Sequence, residues 1–281
     1  MLTNGPQRAW LALGKGRVVG FVIAFATLGL RGQWWEIDLL AVMPAWRGRL
    51  LATNLIRAAA AGAGEIRQVR AVVATDNDAS ARAFARVGFE QGTERQELLV
   101  CRANELAPRR WSVPGVTILE AAGLSEASTW LASTAVERES PGLAEAILGP
   151  GSPGSAGAKE GQQQLVLENQ PRLTLLLAER GGQLVGHAEL VQVQTLLYRG
   201  VWIESLAATD RAVREALVHE SVQRAQALDI DEIGAMVPES NQPLNQTLPA
   251  TGFRSLGEYF WLRAGLPLPA PGASFNPLLT A

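Results

Sequence analysis

The segment PAWRGRLLATNL, Pro44 to Leu55, decides the fold, because a strand, a basic turn and a helix meet there. The apolar run Trp34 to Val42 precedes it and reads as a central strand. Pro44 ends that strand. Apolar residues recur at helical spacing over Leu50 to Ala63. We therefore predict a strand that runs through a basic turn into a helix.

This turn has the chemistry of an anion site. Free N–H groups and the helix dipole favour an anion at a helix N-terminus, and Arg47 and Arg49 offer charged hydrogen bonds. Leu50, however, stands where such a turn usually has a glycine. With a helical backbone Leu50 would point away and leave the amides free, which we favour; otherwise its side chain would fill the site. From the residues alone, a basic surface corner is an equally good interpretation.

The bulk composition narrows the class of protein. A chain of 281 residues predicts about two domains, and 47% hydrophobic residues are enough for a core. A net charge of −2 argues against a nucleic-acid partner. The run Val18 to Leu30 is too short to span a bilayer, so we expect no membrane association. The single cysteine fits a cytoplasmic location, and the two distant histidines predict no metal site.

Other segments have clear local signals. We predict strands over Ala9–Leu13, Arg17–Thr27, Val69–Ala74 and Phe89–Arg102, and a helix over Asp78–Val87 with a stop at Gly88.

The second half of the sequence repeats the first. The segments that begin at Gly16, Glu36 and Asn77 are echoed by segments that begin at Gly182, Trp202 and Asn241, which lie 166, 166 and 164 residues later. Three echoes in the same order at a nearly constant offset indicate an internal duplication.

The duplication predicts three parts: a domain over residues 1–107, a second domain over 108–265 with a flexible loop at 149–161, and a tail over 266–281. The second copy begins with a strand (Val116–Ala121) and two helices (Ser125–Val136 and Leu143–Leu148). The first copy lacks this block. It is then a short domain, or it is completed from elsewhere, for example by the tail or another chain, or its start is misplaced.

Two motifs in the first copy resemble those of the GNAT superfamily of acyl-CoA N-acyltransferases. The family loop [QR]-x-x-G-x-[GA] corresponds to Arg47–Ala52, with Leu50 in place of the central glycine. The family pattern N-x-x-A-x-x-x-Y-x-x-x-G-F corresponds to Asn77–Phe89, with Phe84 in place of tyrosine. The resemblance implies an α/β fold, a mixed α+β sheet flanked by helices, in two tandem GNAT-like domains of which the second is degenerate.

The resemblance also implies how acetyl-CoA is bound. Residues Arg47, Gly48, Arg49, Leu50, Leu51 and Ala52 would hold the pyrophosphate, mainly through backbone amides. The strand edge from Leu40 to Val42 would pair with the pantetheine arm, and the N–H of Val42 would face the thioester carbonyl. Asn77 would contact the pantetheine or fix the loop, and Phe84 would lie near the sulfur.

The implied reaction is direct attack of an amine on the thioester, assisted by a base. Glu36 is the first candidate for the base and Asp38 the second; either could instead be the structural partner of an arginine. Phe84 has no hydroxyl group, so it cannot protonate the leaving thiolate.

The second copy has lost the loop chemistry. Its equivalent segment, Ala207–Leu217, has no glycine, and Asp210 would cap a helix but oppose a phosphate. Pro243 and Pro249 predict a short or irregular last helix. We interpret this copy as structural or substrate-shaping.

These features predict an acetyl-CoA-dependent N-acetyltransferase that acts on a small-molecule amine or a peptide. The alternative is a non-catalytic binding protein with the same fold. A third hypothesis, of a structural homodimer, is weaker.

Overall fold

The computed structural model describes residues 7–29, 32–102, 105, 112–121, 173–194, 199–228, 230 and 232–268. The chain divides into two compact units. The N-terminal unit takes its described residues from Pro6–Ala26, Gln33–Arg95 and Glu258–Ala281. The C-terminal unit takes them from Thr27–Gly32 and Gln96–Gly257.

The N-terminal unit is a mixed sheet with two helices. Its elements are β1 (Gln7–Gly14), β2 (Arg17–Gly29) up to Ala26, β3 (Gly32–Val42) from Gln33, α1 (Leu51–Ala61), β4 (Gln68–Ala74), α2 (Asp78–Ala85), β5 (Glu90–Gln91) and the part of β12 (Arg254–Gly265) from Glu258 onward. The strand order is β1-β2-β3-β4-β12. The β3–β4 pair is parallel, whereas β1–β2 and β4–β12 are antiparallel.

The core of this unit forms where α1 and α2 pack on the sheet. The predicted apolar stripe of α1 is buried there through Leu55, Ile56 and Ala59. Leu266 and Leu268, the first part of the predicted tail, also pack against this core. The helical spacing in the sequence therefore identified the correct face of α1.

The C-terminal unit repeats this arrangement with one more strand on its edge. Its elements are β6 (Gln96–Arg102), β7 (Val116–Ala121), β8 (Leu173–Arg180), β9 (Gln183–Gln194), β10 (Arg199–Ala208), α3 (Arg211–Ala227), β11 (Glu232–Pro238) and α4 (Gln242–Ala250). The strand order is β6-β11-β10-β9-β8-β7, and β10–β11 is the parallel pair. Helix α4 is short and contains Pro249, as predicted.

The two copies also share a local irregularity in their strand pairing. The register shifts between Ala12 and Leu13 in β1, and between Ala178 and Glu179 in β8, at positions 166 residues apart. The tandem mixed α+β fold predicted from the sequence is thus confirmed.

Two strands are exchanged relative to the order of the sequence. Strand β6, from the first half, pairs with β11, and β12, from the second half, pairs with β4. The compact units therefore do not follow the boundary predicted at residue 107. The single strand predicted over Phe89–Arg102 is wrong: β5 and β6 are separate, and they belong to different units.

Some predicted features lie outside the described residues: the helices Ser125–Val136 and Leu143–Leu148 and the loop 149–161. In the described part of the chain, no helix is both long enough and apolar enough to span a membrane.

Candidate active site

Strand β3 continues beyond the end of its parallel pairing with β4, and this leaves one edge of β3 unpaired. The β3–β4 register runs from Trp35↔Val69 to Ile37↔Ala71 and stops there, although β3 continues to Val42. The stretch from Asp38 to Val42 thus has backbone groups on its β4 side that no described strand pairs with. Such an edge can accept an extended ligand by adding main-chain hydrogen bonds.

The side chains of β3 change phase where this pairing ends. Trp35 and Ile37 lie in the α1–α2 core, and Leu40 and Val42 pack against the same core, so strict alternation fails between Ile37 and Leu40. The equivalent strand β10 has a register shift between Ile203 and Ser205. Both observations indicate a β-bulge, which bends β3 away from β4.

The backbone of Val42 is turned toward this open edge. The N–H of Met43 donates to the carbonyl oxygen of Val19 in β2 at 2.9 Å. Because successive N–H groups of a strand point to opposite sides, the N–H and C=O of Val42 face the β4 side. The Nε of Arg47 donates to that carbonyl oxygen at 3.3 Å.

The turn before α1 has an unusual backbone at Leu50. A short 3-10 helix, Pro44–Trp46, is followed by Gly48 with φ 74° and Leu50 with φ 59° and ψ 12°. Leu50 is thus left-handed, and the helical backbone predicted for it is wrong, because α1 begins at Leu51. Its side chain is 55% exposed, and no side chain caps the amides at the start of α1.

The two arginines of the turn are exposed and held close to it. The guanidinium carbon of Arg49 lies 4.9 Å from the centre of the Trp46 ring. That ring lies against Gly14, where any Cβ would collide with it. Two positive charges beside uncapped helical amides make the turn a suitable cradle for a phosphate.

Glu36 is engaged with an arginine. Its Oε1 lies 2.6 Å from Nε of Arg70, and both side chains are buried. The Arg70 guanidinium lies 5.0 Å from the ring centre of Trp34 and 4.5 Å from that of Trp261. Of the two roles considered for Glu36, this arrangement corresponds to the structural partner of an arginine.

Asp38 has a different environment. It is exposed, and no ion pair involving Asp38 is found among the described residues. Neighbouring protein atoms nevertheless desolvate its carboxyl group and raise its pKa above the ordinary value. A carboxylate beside the open edge with a raised pKa has the properties of a general base.

The two remaining predicted residues have structural contacts. The Oδ1 of Asn77 accepts a hydrogen bond from Ser80 N at 3.1 Å and so caps α2. The Phe84 ring is buried edge-on against Phe89, with centroids 4.9 Å apart. The structure therefore places Asp38 and Val42 on the unpaired part of β3 that leads into the turn, and it places Phe84 in the core.

The C-terminal unit has a helix where the N-terminal unit has the turn. Helix α3 starts at Arg211, which corresponds to Ala45 at the offset of 166 residues. The carboxylate of Asp210 accepts from Val213 N at 2.9 Å and pairs with Arg180 at 3.1 Å. The backbone hydrogen bond from Val213 lowers the pKa of Asp210, so its negative charge is stabilised where a phosphate would have to bind.

The sequence analysis did not predict that Arg70 and Trp261 lie beside Glu36 and Arg70, respectively. The signal for Arg70 was available, because a charged residue within an apolar strand requires a buried partner and Glu36 has the same need. No group of three or more metal-ligating side chains occurs in the described ranges.

Comparison with known proteins agrees with this geometry. Residues 2–89 match the family model described as the Acetyltransferase (GNAT) family. A tandem GNAT protein from the clavulanic acid biosynthesis pathway aligns with 93% of this chain and 83% of its own, at 14% identity and a TM-score of 0.54. A GCN5-related N-acetyltransferase from Kribbella flavida aligns with 89% and 88%, at 15% identity and a TM-score of 0.50. No curated protein matches the chain.

The family match and the fold likeness cover different parts of the chain. Residues 2–89 match the GNAT family model, and the described fold over both copies is similar to that of a tandem GNAT protein. The match supports an acyltransferase activity in general.

Proposed function

We propose that the chain is an acetyl-CoA-dependent N-acetyltransferase with its active site in the N-terminal unit. The observation that carries this proposal is the β3 edge that opens after Ile37 and leads directly into the uncapped, arginine-flanked start of α1. The turn from Arg47 to Ala52 holds the pyrophosphate, and the edge from Leu40 to Val42 pairs with the pantetheine arm. Acetyl-CoA supplies the acetyl thioester.

The proposed chemistry is direct transfer to an amine. The amine nitrogen attacks the thioester carbonyl carbon, a C–N bond forms, the C–S bond breaks, and the CoA thiolate leaves. The N–H of Val42 stabilises the negative charge that develops on the carbonyl oxygen. Asp38 accepts the proton from the amine, and solvent protonates the thiolate because Phe84 has no hydroxyl group.

The acceptor is a small-molecule amine or a peptide. We place the reaction in the cytoplasm, which the single, buried Cys101 supports.

Calorimetric titration of acetyl-CoA into the full chain tests the cofactor assignment. We expect one binding event per chain, because the carboxylate of Asp210 caps the first helix turn of α3 in the second copy. The double variant Arg47→Glu, Arg49→Glu should abolish it, whereas Arg211→Glu, at the start of α3, should not. Absence of binding by the unmodified chain would contradict the proposal.

The second candidate function is non-catalytic CoA binding. The burial of Phe84 favours it, since no side chain is assigned to protonate the thiolate. In that case acetyl-CoA binds as above, but a panel of amines and peptides releases no free CoA above background.

A further inference from the structure

The hairpin turn between β1 and β2 lies beside the turn that precedes α1. The Trp46 ring joins the two turns. It lies against Gly14, the last residue of β1, where any Cβ would collide with it, and the guanidinium carbon of Arg49 lies 4.9 Å from its centre. Lys15, the residue after Gly14, is therefore close to the proposed site of the pyrophosphate.

Four exposed cations belong to these two turns. Lys15 and Arg17 come from the hairpin turn, and Arg47 and Arg49 come from the turn before α1. Within the described ranges of the chain, no carboxylate forms an ion pair with any of the four. Their charges are thus available to an anionic ligand.

The second copy has the same hairpin without these cations. At the offset of 166 residues, the four counterparts are Gly181, Gln183, Val213 and Glu215. The hairpin registers agree, because the pair Gly14↔Arg17 corresponds to the pair Arg180↔Gln183. The fold therefore forms with an uncharged hairpin turn, and it does not require the charges of Lys15 and Arg17.

Lys15 also has a backbone conformation that favours glycine. Its φ is 51° and that of Gly16 is 75°, whereas the two equivalent residues of the second copy are Gly181 and Gly182, with φ 61° and 80°. A two-residue hairpin turn of this kind needs positive φ at both positions, which glycine adopts without strain. A lysine at such a position points to a use for its side chain.

Acetyl-CoA carries more negative charge than the turn before α1 can balance. Its pyrophosphate carries about two negative charges, and its 3′-phosphate carries about two more near neutral pH. Arg47 and Arg49 balance the pyrophosphate, and only the ribose separates the 3′-phosphate from it. We propose that Lys15 and Arg17 bind this 3′-phosphate and so select acetyl-CoA over its 3′-dephospho form. This inference rests on the proposed function and adds a specificity-determining pair to the same site.

Calorimetric titration of the full chain with acetyl-CoA and with 3′-dephospho-acetyl-CoA tests the proposal. The unmodified chain should bind acetyl-CoA about tenfold more tightly or better, because both cations make charge-assisted hydrogen bonds to a phosphate. The double variant Lys15→Gly, Arg17→Gln has the hairpin residues of the second copy, so its circular dichroism should stay unchanged. Its affinities for the two ligands should agree within about twofold, chiefly because acetyl-CoA binds more weakly. Arg67→Gln, at an exposed arginine between α1 and β4, should keep the full preference.

The possible results distinguish this inference from the proposed function. Equal affinity of the unmodified chain for the two ligands would overturn the inference and leave the proposed function intact. Absence of binding to either ligand would contradict the proposed function, and the inference with it. A double variant that weakens both ligands by the same factor would also overturn the inference, because the two cations would then act on a part that the ligands share.

Ionic strength gives a second measurement. The cations are exposed, and the screening length of the solution falls from about 10 Å at 0.1 M salt to about 3 Å at 1 M. The preference of the unmodified chain for acetyl-CoA should therefore shrink over this range, whereas the ratio of affinities in the double variant should stay constant. A preference that is unchanged at high salt would assign the discrimination to other groups and overturn the inference.

Discussion

Leu50 holds a backbone conformation that ordinarily belongs to glycine, and this strain is local. The left-handed conformation strains a leucine by about 1–2 kcal/mol. A glycine at this position removes the strain, but its greater freedom in the unfolded chain cancels part of the gain in stability. We expect Leu50→Gly to raise the free energy of unfolding by about 0.5 kcal/mol, with acetyl-CoA affinity equal or tighter. Leu256→Gly, at a similarly exposed leucine in β12, should lower it by about 1 kcal/mol. Denaturant titration of both variants measures the difference, and equal losses would mean that Leu50 carries no strain.

Variants of the two carboxylates of β3 distinguish a catalytic role from a structural one. Asp38→Asn should lower the acetylation rate about 100-fold or more, and should remove the loss of activity that occurs as pH falls through the raised pKa of Asp38. Glu36→Gln should keep that acid limb but lower the free energy of unfolding by about 3 kcal/mol, because it leaves Arg70 buried beside a neutral partner. A pH profile of kcat/KM and a denaturant titration distinguish the two. An acid limb lost in Glu36→Gln and kept in Asp38→Asn would reverse the assignment.

At the scale of elements, β9 contains a buried titratable group. His187 lies 3.4 Å from Oγ of Ser205, which donates to Glu189 at 3.1 Å. Burial lowers the pKa of His187 to about 4 from 6.5. The unfolded chain therefore binds a proton at a pH where the folded chain does not, and stability falls as pH drops from about 6.5 toward 4. The loss attributable to this group is about 3 kcal/mol.

The first copy offers the control for this prediction. Phe21 stands at the position equivalent to His187, so His187→Phe uses a residue that the fold already accepts there. The difference between the unfolding free energies at pH 7 and pH 4.5 should be smaller in this variant than in the unmodified chain, by about 2–3 kcal/mol. An unchanged difference would assign the acid sensitivity to other groups.

Local elements were predictable from the sequence, and non-local pairings were not. Helix α1 and strand β7 follow from spacing and punctuation within a short window, and both are confirmed. The Glu36–Arg70 pair joins residues 34 positions apart, and no periodicity specifies such a partner. The left-handed Leu50 escaped prediction because sequence propensity alone places leucine in the helix that follows.

At the scale of the molecule, the exchange of β6 and β12 makes each unit depend on both halves of the sequence. The N-terminal unit receives from β12 the register Tyr259↔Ala74 to Gly265↔Gln68, the buried Leu262, and the Trp261 ring against Arg70. A chain ending at Gly257 would leave the β4 edge unpaired and open the core that supports α1. We therefore expect it to lose acetyl-CoA binding and cooperative melting, although it keeps every residue of the proposed site.

Two further samples make this prediction specific to β12. A chain ending at Leu268 keeps β12 and should bind acetyl-CoA as the full chain does. A synthetic peptide of residues 254–268, added to the chain ending at Gly257, should restore acetyl-CoA binding to the extent that the peptide associates with that chain. This is because β12 contributes pairing and packing but no residue of the site. If the chain ending at Gly257 binds acetyl-CoA with unchanged affinity, the N-terminal unit folds without β12, and the boundary predicted from the duplication describes an autonomous domain after all.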